Sequence, residues 1–137
     1  MSFDWGDYIK LAEKLQNETN KNSIEEAYYR SIISRSYYGV FCISRIKAGL
    51  EFYRPRPRTG DPGVHEKVIS YYKNSNIPEE KLIGKFLDDL RRNRNDADYD
   101  RRKRIDKDLA ERAILKAKEL LNILNGIKSS PTARSTQ

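Results

Sequence analysis

The chain has 137 residues, 37% of them hydrophobic and 34% charged, which bounds it to one domain built of amphipathic elements with wet outer faces. No stretch approaches the roughly 20 apolar residues of a membrane span, and the single cysteine excludes an internal disulfide and any zinc site built on cysteine. A net charge of +7 and a pI of about 9.5 favour acidic partners, nucleic acid foremost among them.

The N-terminal residues Met1 to Trp5 carry neither a basic n-region nor an apolar h-region, so the reading is a soluble cytoplasmic protein without a signal peptide. A first helix is expected from residue 4 to about residue 18, with Trp5, Tyr8, Ile9, Ala12 and Leu15 on one stripe. Ser23 and Glu26 then have capping-box spacing and open a second helix, from Ile24 to about Phe52. Its apolar residues, among them Ala27, Tyr28, Tyr29, Ile32, Ile33, Tyr37, Tyr38, Val40 and Phe41, cover most of the circumference. That pattern marks a central helix, or one shared between a core and a dimer interface. Cys42 lies between Phe41 and Ile43 and reads as a buried, inert thiol.

Arg54 to Gly63 alternates arginine with proline and contains two glycines, so it reads as a stiff basic loop, either a strip that touches phosphates or a soluble linker. A short helix is expected from Val64 to about Asn74, with the only histidine, His65, in its first turn. Pro78 suits the first position of a fourth helix, with Glu79 and Glu80 complementing the dipole. That helix ends near Tyr99. Arg101-Arg102-Lys103-Arg104 forms a basic connector, Asp106 is the N-cap of a last helix, and Gly126 marks its end. The whole predicts an all-α bundle of four to five helices, up-and-down, in a single domain over 1–127, with a disordered tail at 128–137.

The densest stretch in functional groups is Leu90 to Asp100. It continues the apolar spacing of Leu82, Ile83, Phe86, Leu87 and Leu90, so Arg94 and Ala97 fall on the face used for burial. A charge on a core-directed face must be paired and hydrogen-bonded, or it belongs to a site. Within residues 91–104 there are seven Arg or Lys against three Asp, with Tyr99 interleaved, a composition suited to phosphate contacts and base stacking. The plainer alternative is a solvated basic turn with i,i+4 pairs such as Asp88–Arg92 and Arg94–Asp98. Asp96, Asp98 and Asp100 are a weak metal cluster, because alternate helical residues point about 200° apart. Neither a metal nor a cofactor is expected.

Ala27 to Phe41, with its Arg30-Ser31 and Ser34-Arg35 pairs and Tyr37-Tyr38, resembles the second-helix pattern of prokaryotic HEPN-domain proteins. His65-Glu66-Lys67-Val68-Ile69 and Leu90 to Asp100 are similar to two further motifs of that family, in the same order. The resemblance implies a four- or five-helix bundle, often a homodimer, with the polar motif near the dimer cleft. It implies a member of a toxin–antitoxin or defence system that binds RNA or a nucleotidyltransferase-type partner protein. Many such proteins are metal-independent ribonucleases with R-x4-6-H. Here Asp98-Tyr99 stands where that histidine is expected, and a carboxylate does not readily protonate a leaving group near neutral pH.

The candidate catalytic residues are therefore Arg94, His65 and Asp98. Candidates for RNA or partner contact are Arg30, Arg35, Arg91, Arg92, Asn95, Tyr99, Arg101, Arg102, Lys103 and Arg104.

Overall fold

Apolar residues spaced by three and four give five helices: α1 (Asp7–Glu18), α2 (Glu25–Lys47), α3 (Val64–Lys73), α4 (Pro78–Tyr99) and α5 (Lys107–Gly126). There is no strand among the described residues. The computed structural model describes residues 2–18 and 24–127. The expected Ser23 cap and the tail at 128–137 lie outside the described residues.

The middle of the bundle is α2. Helices α1, α4 and α5 pack around it, and α3 lies mainly against α4. This explains why α2 is apolar nearly all round: Ile32, Ile33, Tyr37, Val40 and Phe41 are all buried beneath its neighbours. Helix α5 offers small residues, Ala110, Ala113 and Ala117, then Leu120 and Leu124, all buried. Short side chains let two helices approach and the leucines fill what remains.

Two ends differ from the sequence reading. Helix α1 begins at Asp7 because Asp4 draws the chain into a turn, its carboxylate accepting the Gly6 N–H at 2.9 Å. Helix α2 stops at Lys47, short of Phe52. Gly49 adopts φ 75°, the Gly49 N–H donates to the Ile46 carbonyl at 2.9 Å, and the Leu50 N–H donates to the Arg45 carbonyl at 3.0 Å. These two bonds close a Schellman cap, and glycine takes the left-handed position without a Cβ penalty.

The other boundaries follow their signals. Pro78 opens α4, and the Asp106 carboxylate accepts the Leu109 N–H at 3.0 Å. Along α4, Ile83, Leu87, Leu90, Arg94 and Ala97 form the buried stripe, while Leu82 is exposed and Phe86 half-buried. At Gly84, α4 passes so close to the end of α3 that a Cβ would sit 2.8 Å from the Lys73 backbone nitrogen. No helix among the described residues is long and apolar enough to cross a membrane.

Candidate functional site

Arg94 is 6% exposed, deep in the seam between α2 and α4. Its guanidinium carbon lies 5.2 Å from the Tyr37 ring centre, 5.1 Å from Tyr38 and 5.9 Å from Tyr99. One Nη donates to the Tyr38 hydroxyl at 3.1 Å, while Nε is buried without a hydrogen-bond partner. The i,i+4 pair with Asp98 does not form. Asp98 turns outward and accepts from the Ser34 hydroxyl at 3.3 Å. Arg94 thus has no carboxylate partner among the described residues. A desolvated cation over an aromatic face gains about 2 kcal/mol, less than the several kcal/mol it costs to dehydrate the ion.

His65 comes to the same rings from α3. Its imidazole stacks on Phe41 at 4.2 Å and on Tyr37 at 5.6 Å between ring centres. Its Nδ1 lies 2.5 Å from the Tyr37 hydroxyl. Burial, then the positive charges of Arg94, Arg91 and Arg45, push the histidine down to about 4, so the ring is neutral at pH 7. Burial likewise pushes the Tyr37 phenol above its usual range, and it keeps its proton. The fold therefore brings His65 and Arg94 onto a shared pair of tyrosines, although 28 residues separate His65 from Tyr37.

Beside this seam opens a cleft of about 610 Å³, lined by Trp5, Tyr8, Arg35, Tyr38, Phe41, Cys42, Arg45, Arg54, Val64 and His65. Three arginines line it, and no Asp or Glu does. Burial pushes the Cys42 thiol up to about 11, so the half-buried cysteine is protonated and inert, in line with its sequence context.

The remaining candidates separate into three groups. Arg35 and Arg91 border the tyrosines: Arg35 lies 5.1 Å over the Tyr8 ring, and Arg91 has a buried Nε without a partner. Tyr99 is 75% exposed, and Asn95, Arg101, Arg102 and Arg104 are exposed near the end of α4. Arg30, Arg92 and Lys103 are taken up by the fold. Arg30 donates to the Asp96, Ala97 and Lys103 carbonyls at 3.1, 2.9 and 2.6 Å, capping α4 and tying down the basic connector. Arg92 pairs with Asp88 at 2.8 Å as the i,i+4 spacing predicts, and Lys103 pairs with Asp96 at 2.7 Å. Asp96, Asp98 and Asp100 turn to different partners, Asp100 accepting the Arg102 N–H at 3.0 Å. No three His, Cys, Asp or Glu among the described residues are placed to hold a metal.

Sequence reasoning left out Trp5, Tyr8 and Arg45, and took Arg54 only as part of a basic strip that either touches phosphates or is a plain linker. A signal existed for Arg45, because Arg35, Tyr38, Cys42 and Arg45 recur at helical spacing along one line of α2. Trp5, Tyr8 and Arg54 reach the cleft from other segments, and no local pattern announces that.

A five-helix bundle with a tyrosine-ringed arginine between its second and fourth helices defines an all-α domain whose polar site is built into the helix seam. The chain belongs to the HEPN family: the model of the HEPN domain matches residues 7–127, from the first residue of α1 to the residue after α5. No curated protein and no solved structure matches the chain.

Proposed function

We propose that the chain is a small HEPN protein of a prokaryotic toxin–antitoxin or defence system. In this reading it is a homodimer that binds single-stranded RNA along the face where α2 meets α4. The observation that supports this most is Arg94: buried, ringed by three tyrosines and without a carboxylate partner among the described residues. Phosphate supplies the missing charge, and the exposed Tyr99 ring above Arg94 offers a stacking face to an unpaired base. Arg91, Arg101, Arg102 and Arg104 add positive field around it.

The test is anisotropy of a labelled single-stranded RNA at rising salt. With about four phosphate contacts, log K falls against log salt with a slope of roughly −3. Tyr99→Ala and Arg94→Ala each weaken binding by about tenfold or more. Absent or salt-independent binding would overturn the RNA reading in favour of a protein partner of the nucleotidyltransferase type. Sedimentation equilibrium checks the dimer against the 16.0 kDa chain.

A second reading, metal-independent RNA cleavage, is favoured by the meeting of His65 and Arg94 on Tyr37 and Tyr38. A neutral imidazole can take the proton of a 2′-hydroxyl, and Arg94 can offset the charge of the phosphorane. The proton for the leaving oxygen then has to come from a group of a second subunit, because the exposed Asp98 carboxylate is a poor acid near neutral pH. RNA cut in EDTA by the wild type, and left whole by His65→Ala and Arg94→Ala, marks this activity; RNA bound but uncut leaves the binding role alone.

A further inference from the structure

We infer that the cleft between α2, the N-terminal segment and the 54–63 loop is a nucleotide subsite of the RNA path. It holds one unpaired base against its aromatic wall and the adjoining phosphate on Arg35, Arg45 and Arg54. The inference rests on the RNA reading above and extends it to a region that carries none of its Leu90–Asp100 motif.

Charge carries the first half of the argument. Arg45 donates to the Leu50 carbonyl at 2.9 Å and to the Tyr53 carbonyl at 3.0 Å, and Arg54 donates to that same Tyr53 carbonyl at 2.7 Å. Two guanidinium groups therefore crowd one neutral oxygen. Neither has an ion pair with a carboxylate among the described residues, and the same holds for Arg35. Burial and the Arg54 charge both pull the half-buried Arg45 below its ordinary value, as expected where like charges lie close together. A phosphate relieves that repulsion, and arginine forks match its oxygens.

Shape and rings carry the second half. At about 610 Å³ the cleft lies within the range of pockets that enclose small organic ligands. Trp5 and Tyr8, both half-buried, stand 5.7 Å apart in its lining, and Tyr38 and the neutral His65 complete the ring-bearing wall, His65 being backed by the buried Phe41. These flat faces suit a base, since every base offers a π-face to an aromatic ring. Tyr38 lines the cleft and also receives the Arg94 hydrogen bond, so cleft and seam are continuous. From Ser34, which bonds Asp98, to Arg45 in the cleft, α2 rises about 16 Å, a path for a few nucleotides rather than one.

Trp5 is the only tryptophan of the chain, so its emission reports on this cleft alone. Adenosine 5′-monophosphate, adenosine, inorganic phosphate and a short oligoadenylate are titrated separately against that emission. The expected result is saturable quenching by adenosine monophosphate, and by the oligonucleotide at lower concentration. Adenosine and phosphate alone act at least about tenfold more weakly. Arg54→Gln, on an exposed loop, and Arg35→Gln each weaken the monophosphate about tenfold while far-UV circular dichroism stays unchanged. Oligonucleotide binding by anisotropy with unchanged Trp5 emission overturns the subsite and leaves the RNA reading standing. Saturable monophosphate binding by a chain that does not bind RNA keeps the subsite and overturns that reading. Quenching by phosphate equal to that by the monophosphate overturns the base half of the inference, and unchanged affinity in both glutamine variants overturns the phosphate half.

Discussion

Arg94 is held by rings rather than by an opposite charge, and this separates its effect on stability from its effect on binding. Replacing a buried cation that has no carboxylate partner by an apolar chain of similar reach removes a desolvation cost. Arg94→Met is therefore expected to leave stability unchanged or raise it by about 1–2 kcal/mol in urea unfolding, while RNA affinity falls. A loss of more than about 1 kcal/mol would instead mark the tyrosine cage as part of the scaffold. His65 gives the matching pH prediction. Its folded value of about 4 lies below its ordinary 6.5, so the unfolded chain binds the extra proton between those values. The contribution of His65 is thus complete above about pH 6.5 and is lost as pH falls toward 4. Unfolding at pH 7 and pH 5 should show the wild type losing more than His65→Gln, by on the order of 1 kcal/mol once solvent screening of this half-buried ring is allowed for.

At the scale of the element, three short features fix where helices end and how closely they pass. Asp106→Ala removes the bond to the Leu109 N–H and is expected to cost about 1 kcal/mol. Gly84→Ala ought to help an isolated helix by about 0.5–1 kcal/mol, yet its Cβ meets the Lys73 backbone. Because backbone cannot swing aside as a side chain does, the net change is a loss of roughly 1–2 kcal/mol, read as a lowered urea midpoint. Both features differ in how legible they were. Asp106 sits directly before a periodic run and announces its role, whereas Gly84 looks like an indifferent helix position until α3 is placed beside it. Gly49 is intermediate, because a glycine followed by Leu50 is a Schellman signal that the long proline-free run obscures.

On the scale of the molecule, the charge of +7 is spread unevenly between paired and unpaired groups. Arg92, Lys73, Lys103, Arg112, Lys116 and Lys118 all meet carboxylates on the outside. Arg35, Arg45, Arg54 and Arg94 meet none among the described residues, and they gather along one side of α2. That segregation predicts a salt dependence dominated by few residues. Arg94→Ala combined with Arg35→Gln should lower the magnitude of the salt slope by about 1–2, whereas Arg92→Gln and Lys118→Gln should leave it unchanged.

The periodicity of apolar residues, the caps at Pro78 and Asp106 and the continuation of the α4 stripe through Arg94 by themselves determined an all-α chain with a charge on its buried face. Those signals are local, set by a repeat of 3.6 residues and by free N–H groups at helix ends. Only the tertiary structure decided what Arg94 would face. The sequence offered Asp98 four residues on, and the packing of α4 on α2 gave it Tyr37 and Tyr38 instead, sending Asp98 to Ser34. It also set His65 against Tyr37, turned Arg30 from a contact candidate into a cap for α4, and brought Trp5, Tyr8 and Arg54 to a cleft with Arg35 and Arg45. These are contacts between segments far apart in the chain, fixed by which faces the helices bury against one another, and that choice belongs to the whole fold.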